Sequence, residues 1–338
     1  MNIDLSTNYM GLNLKSPLII GANPFTDKID YLRIYEEAGA GAVVYKTIFQ
    51  EQVEKDNLLF DELMGEYGDR NAEMVTIAPE REDTGIEDHV FKITEIKKQI
   101  KIPLIVSFNC TNIKSWVEYA KAIEKSGADA LQINLLFVPH DLKKSSNEVE
   151  EEQLQIVKSV VESVKIPVTV KISPFYSNVN LFLDKLAEVN VKGVVLFGKF
   201  LNFDINMNLN KINARPYLSH KGENSNSLRT VGSYYKSECN LSLVSNTGIL
   251  SGMDAVKNIL VGASVVEMVS AILLEPRKAS VIIDDIKNWM SKNNYSKIED
   301  FKGLLSEEKN KDLKYTYNLV QYLDNKENVS ELLKRILI

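Results

Sequence analysis

Lys101-Ile-Pro-Leu-Ile-Val-Ser-Phe-Asn109, an amphipathic run from Ile113 to Lys125, and then Ser126-Gly-Ala-Asp-Ala-Leu-Gln-Ile-Asn134 decide the fold. The first run, Pro103–Ser107, is continuously apolar up to its last residue, the pattern of a strand buried on both faces. The second recurs at helical spacing and ends before Gly127, a residue suited to a helix C-cap. The third, Ala130–Asn134, is again a short apolar strand. A strand, a helix and a strand in so few residues make a βα unit with parallel neighbours.

The same unit recurs outward in both directions. Lys-Ile-Pro introduces a further strand at Pro167–Ile172, and others read at Pro17–Gly21, Ala42–Lys46, Gly193–Phe197, Leu241–Ser245 and Ser264–Met268. Helical patterns lie between or after them at Ile29–Ala38, Val149–Val164, Val179–Val189, Asn226–Lys236, Met253–Leu260 and Arg277–Met290. Eight such strands predict an α/β fold, a (β/α)₈ TIM barrel over residues 1–305, with an open doubly wound sheet as the alternative. Long connections follow strand two (48–100) and strand six (198–225), both at the strand ends where barrels carry their sites. Residues 306–338 read as a charged helical tail, an amphipathic packing element.

The chain has 338 residues and a net charge of −6, which disfavours a nucleic-acid partner. Its two cysteines, Cys110 and Cys239, make no disulfide framework. No apolar run approaches the roughly 18 residues that would suggest a membrane span, and the N-terminal residues lack a signal-peptide pattern. A cytoplasmic protein acting on a small molecule is the expectation. His89, His140 and His220 show no metal-ligand spacing, so no metal is expected. Dinucleotide, Walker and nucleophile-elbow motifs are absent.

Polar residues gather at the predicted strand ends. Strand seven runs into Ser245-Asn-Thr-Gly-Ile249, and strand eight into Glu267-Met-Val-Ser-Ala271. Backbone N–H groups after these two strands hold phosphate in many barrels, which makes Thr247, Gly248, Val269 and Ser270 candidates. An ordinary turn capped by Ser251 is the alternative. Lys46 and Lys171 each end an apolar strand, and a lysine there implies an anion, a carbonyl ligand or a carboxylate partner. A Schiff-base role fits either. Asn23, Ser107, Asn109 and Asn134 add amide and hydroxyl groups above other strands, although Asn is also a common turn residue.

These residues together resemble the dihydroorotate dehydrogenase family of FMN-dependent barrels, over roughly Ile3 to Leu304. The likeness runs through Met10-Gly-Leu-Asn-Leu-Lys-Ser-Pro17, Gly21-Ala-Asn-Pro24, Tyr45-Lys-Thr47, Ile133-Asn-Leu135, Val170-Lys-Ile172, Asn246-Thr-Gly-Ile249, Gly262-Ala263 and Val269-Ser-Ala271. The resemblance implies an FMN cofactor with its phosphate at Thr247-Gly248 and Val269-Ser270. It implies that Lys171 faces the pyrimidine edge of the flavin, that Ala22, Lys46, Thr47 and Asn134 line the ring with Asn134 also touching the substrate, and that the protein is a homodimer; Asn23 and Ser107 remain cofactor-binding candidates from their places at the strand ends. It implies hydride transfer between a small, carbonyl-bearing substrate and flavin N5, as in pyrimidine biosynthesis.

The substrate side departs from that family. Where its strand-four loop reads Asn-Leu-Ser-Cys-Pro-Asn, with Cys or Ser as the base, this chain reads Asn134-Leu-Leu-Phe-Val-Pro139. Phe137 cannot take a proton. The family's Asn-Ser after strand six becomes Gly198-Lys199, and its Asn-Ser-Met-Gly after strand two is not recognisable in 65–80. This reads as a divergent branch with a flavin site, whose small, dihydropyrimidine-like substrate need not be dihydroorotate. Candidate catalytic residues are Lys46, Asn134 and His140, with Lys199, Tyr176 and Cys110 as further acid/base candidates. Two other readings stay open: a flavin- or phosphate-binding barrel without turnover, and a sugar-phosphate isomerase or lysine aldolase using Lys171 or Lys46.

Overall fold

A computed structural model describes residues 3–55, 86–136, 141–200, 202–207, 209, 211–215 and 218–318. It opens with a hairpin, β1 (Thr7–Tyr9) and β2 (Leu12–Leu14), then β3 (Leu18–Ile20), α1 (Ile29–Glu37) and β4 (Ala42–Phe49). There follow α2 (Ile86–Lys97), β5 (Leu104–Asn109), α3 (Ile113–Lys125), β6 (Ala130–Asn134), α4 (Ser146–Ser163), β7 (Val168–Ile172), α5 (Val179–Glu188) and β8 (Gly193–Leu196). A second hairpin, β9 (Asn202–Asn206) and β10 (Lys211–Arg215), precedes α6 (Ser225–Tyr234), β11 (Ser242–Ser245), α7 (Gly252–Val261) and β12 (Val265–Met268). The described chain ends with α8 (Ser270–Leu274), α9 (Lys278–Lys292) and α10 (Leu313–Asn318).

The eight strands β3, β4, β5, β6, β7, β8, β11 and β12 form one parallel sheet, and β12 pairs with β3 to close it. The closed barrel is therefore the fold, and the open-sheet alternative falls. The predicted strands are all present; β4 runs three residues past Lys46, across a register shift between Tyr45 and Ile48. Gly39, Gly127 and Gly262, read as helix stops, hold φ of 92°, 86° and 121°, which an L side chain resists.

Strand alternation sorts the interior. Ile19, Ala42, Val44, Ile105, Ala130, Val195, Val244 and Val265 fill the lower barrel as one apolar cluster. Two residues further along their strands, the same inward register brings Gln132 above Ala130 and Glu267 above Val265. The barrel thus grades from a dry, apolar floor to a polar mouth. The β1–β2 hairpin plugs the floor: Tyr9 is buried and its hydroxyl donates to Thr169 Oγ1 at 3.0 Å. Burial pushes the Tyr9 phenol far above its ordinary range, so it stays a neutral donor.

Besides the short helix α8, three elements were absent from the sequence reading. The helix α2 lies inside the stretch taken as a connection after strand two. The floor hairpin turns at Met10 and Gly11, with φ of 55° and 86°, the two left-handed positions of a tight β-hairpin turn. The β9–β10 hairpin occupies the connection after strand six. Of the predicted tail, residues 306–318 pack on the barrel: Glu307 N donates to Gly232 O at 2.8 Å, and Tyr317 occupies the space a side chain at Gly232 would need. No helix among the described residues is long and apolar enough to cross a membrane.

Candidate active site

A cavity of about 430 Å³ opens at the C-terminal mouth of the barrel. Of the predicted residues it brings together Ala22, Asn23, Thr47, Asn134, Lys171, Thr247, Gly248, Val269 and Ser270. Its size is within the usual range for a small-molecule or cofactor site. Lys46 and Ser107 sit beside it and are not part of its lining. Ser107 accepts a hydrogen bond from Thr47 (3.0 Å), and Lys46 approaches Asp27 at 3.9 Å.

One end of the cavity is a backbone cradle. Thr247 and Gly248 have φ of 64° and 76°, and a Cβ on Gly248 would stand 2.7 Å from the Asn224 backbone nitrogen. Such consecutive left-handed residues turn backbone N–H groups toward one point. Among the described residues, the N–H groups of Gly248, Ile249, Val269 and Ser270 reach no protein acceptor. Ser270 Oγ accepts from Ser219 N (2.7 Å), which leaves its own proton to donate. The capping box of Ser251 with Asp254 starts α7 immediately behind. The cap expected at Ser251 is thus formed, beside the Thr247-Gly248 turn rather than within it. Gly248→Ala is expected to cost about 1–2 kcal/mol in left-handed strain alone, plus the clash with Asn224, and urea unfolding would measure it.

The other end holds a buried polar cluster. Lys171 Nζ lies 2.7 Å from Glu267 Oε1, with side-chain exposures of 12% and 2%. Gln132 Nε2 donates to the second carboxylate oxygen at 3.1 Å. A Cβ on Gly21 would lie 2.7 Å from Glu267 Oε1, so glycine there makes room for the carboxylate. Of the partners the sequence offered Lys171, the structure thus shows the carboxylate. Lysine nucleophiles are activated by apolar pockets or cationic neighbours, so this pairing argues against a Schiff base at Lys171. Beside it, Asn134 is buried and its Oδ1 finds no donor among the described residues, nor does Gln132 Oε1. Asn109 secures the strand by donating to Asn134 O at 2.7 Å.

The remaining candidates separate. Asn23 spends its amide on its own turn, accepting from Phe25 N (2.9 Å) and donating to Gly21 O (3.0 Å). Tyr176 donates to Gln153 outside the cavity, and burial raises its phenol. Burial also raises the Cys110 thiol, which packs in the core and is not part of the cavity lining. Neither fits an acid/base role in this cavity. A thiol reagent is accordingly expected to label only Cys239 in the native protein, and both of its two cysteines in denaturant. Lys199 does line the cavity, in an ion pair with Glu223 at 2.9 Å. Burial works to raise Glu223, but the hydrogen bond and charge of Lys199, with His220 adding to them, bring it below its ordinary range. His140 and Phe137 lie outside the described residues.

Sequence reasoning passed over Glu267 and Gln132. Each is polar within an otherwise apolar strand buried on both faces, and a charged residue there is rarely left without a partner. That signal was present in Val265-Val-Glu-Met268 and Leu131-Gln-Ile133.

A family model described as dihydroorotate dehydrogenase matches residues 66–290. The catalytic subunit of dihydroorotate dehydrogenase B (NAD(+)) from Thermoplasma volcanium is 27% identical over 314 residues, covering 89% of this chain and 98% of its own. The chloroplastic dihydropyrimidine dehydrogenase (NADP(+)) of Arabidopsis thaliana is 20% identical over 333 residues, covering 89% of this chain and 76% of its own. Among solved structures, ligand-free dihydroorotate dehydrogenase from Eimeria tenella superposes with a TM-score of 0.64 at 17% identity, covering 89% of this chain and 91% of that one.

Proposed function

This chain belongs to the dihydroorotate dehydrogenase family of oxidoreductases, and on that premise we propose that its mouth cavity binds FMN and that the protein is a flavin-dependent oxidoreductase of a small, carbonyl-bearing substrate other than dihydroorotate. The observation that carries the cofactor is the pairing of two unmet hydrogen-bonding sets in one cavity: unpaired backbone donors at Gly248, Ile249, Val269 and Ser270, and the buried, donorless Asn134 Oδ1 beside Lys171. The donors suit a phosphate, and the amide acceptor with the ammonium suits the edge of a heterocycle bearing both N–H and carbonyl groups.

FMN in this place would supply reversible two-electron chemistry. The chain's own contribution is placement and field. Gly248 and Ser270 would hold the phosphate end, Ala22 and Thr47 would border the ring, and Asn134 and Lys171 would meet its polar edge. The apolar floor beneath, sealed by Tyr9 and Met10, keeps water from reaching the cavity through the barrel. Substrate would enter over Leu136, Lys199 and Phe200, which line the outer side.

A visible absorption spectrum of the purified protein, before and after incubation with excess FMN and desalting, tests the reading. A retained flavin band supports it, and no band after loading sinks it. One observation favours a second reading, a flavin-binding protein without turnover: Phe137 stands where the family has its proton acceptor. Retained flavin that no dihydropyrimidine or other carbonyl-bearing donor reduces would favour that one.

A further inference from the structure

We propose that Glu267 is a positioning residue for the cofactor site: it fixes the Lys171 ammonium at the cavity wall and offsets its charge, holding the bound flavin at a lower reduction potential than a neutral side chain there would. The inference rests on the FMN reading above.

Three observations carry it. Glu267 is buried, and its two oxygens are divided between two partners, Oε1 to Lys171 Nζ (2.7 Å) and Oε2 to Gln132 Nε2 (3.1 Å). The carboxylate is therefore oriented by donors on two other strands, β6 and β7, across the barrel from its own. Both Glu267 and Lys171 line the same cavity, so a ligand there meets the pair rather than a lone cation. The fold also makes room for the carboxylate, since only a glycine at position 21 leaves space for Oε1.

The consequence is electrostatic. An isolated ammonium at the polar edge of a flavin favours the form with the added negative charge. A carboxylate in contact with that ammonium cancels much of the field where the surroundings screen little. Neighbouring charges within about 4–6 Å shift proton equilibria by one to three powers of ten, and the same Coulomb attraction acts on the charge gained on reduction. Glutamine at this place can still accept from Lys171 through its amide oxygen and, with the Gln132 amide turned over, donate to Gln132 Oε1, while removing the charge.

The test is the midpoint potential of the FMN-loaded protein, measured anaerobically against a reference dye. Glu267→Gln is expected to raise the two-electron reduction constant at least about tenfold, about 30 mV. Glu267→Asp, which keeps the charge, should stay closer to the unmodified protein than to the Gln variant. In the double variant Lys171→Met with Glu267→Gln, the rise should vanish, because the charge being unmasked is gone. Should the Gln variant fail to fold, Glu267→Ala must shift the potential in the same direction. A flavin-loaded Gln or Ala variant whose reduction constant stays within about threefold of the unmodified protein overturns the inference while leaving the FMN reading intact. If the unmodified protein takes up no FMN, both fall together.

Discussion

Lys171→Met is expected to lower the unfolding free energy of the flavin-free protein by about 3–5 kcal/mol, the usual cost of leaving a buried charge without its partner. The estimate follows from what the substitution strands. The Glu267 side chain is 2% exposed, and its remaining contact would be the amide of Gln132. Methionine fills the volume of the lysine stem, so packing loss contributes little. The Coulomb partner is lost and the desolvation of the carboxylate remains. Removing both charges in the Lys171→Met, Glu267→Gln double variant should return most of that loss, because the desolvation cost goes with the attraction. Urea titrations of the three proteins would check this through their extrapolated unfolding free energies. A single Lys171→Met variant within about 1 kcal/mol of the unmodified protein would contradict the buried, closely paired arrangement of Lys171 and Glu267.

The barrel was legible because its signal is repeated. Each strand is a short apolar run whose burial on both faces leaves no room for alternation, and Gly39, Gly127 and Gly262 punctuate the helices with left-handed turns. What was missed lies where the repeat is interrupted. The α2 helix follows a long insertion, so its pattern was absorbed into the connection. The Met10–Gly11 turn carries its own signal beside the family likeness, since a Gly in a two-residue loop between Thr7-Asn-Tyr9 and Leu12-Asn-Leu14 marks a hairpin. The site divides in the same way. Lys171, Asn134 and the Thr247–Gly248 turn end their strands or follow them directly, and the topology alone brings them to one mouth. The partnership of Lys171 with Glu267 spans 96 positions and two non-adjacent strands, and no local pattern announces it. Asn23 is a second such case. Its amide closes its own turn, the common use of asparagine, while the residue also lines the cavity, and no local pattern tells the two uses apart.

Dihydroorotate is expected to reduce the FMN-loaded protein about 10²–10⁴-fold more slowly than it reduces a relative with Cys or Ser in the strand-four loop, because a positioned general base contributes that much. Stopped-flow bleaching of the flavin band, with the two proteins side by side and without oxygen, would measure the ratio. A ratio below about tenfold would mean that another group takes the proton. Phe137→Cys alone is expected to recover less than about tenfold of such a deficit, because the family resemblance implies a second difference on the substrate side. Gly198 stands where the family resemblance places an asparagine, and a Cβ there would lie 2.3 Å from Leu136 Cδ1. Leu136 has taken that volume, and the neighbouring Lys199 is engaged by Glu223 at 2.9 Å. On this reading the surface over the cavity presents an aliphatic side chain and a paired lysine where the family resemblance places Asn-Ser. A polar, carboxylate-bearing dihydropyrimidine would lose its hydrogen bonds there as well as its base, and an unpaired polar group on entering such a wall costs about 1–3 kcal/mol. The same wall suits a substrate that is less polar on the side facing Leu136 and Phe200. Screening carbonyl-bearing substrates for flavin reduction should therefore find faster bleaching among those with an apolar substituent than with dihydroorotate.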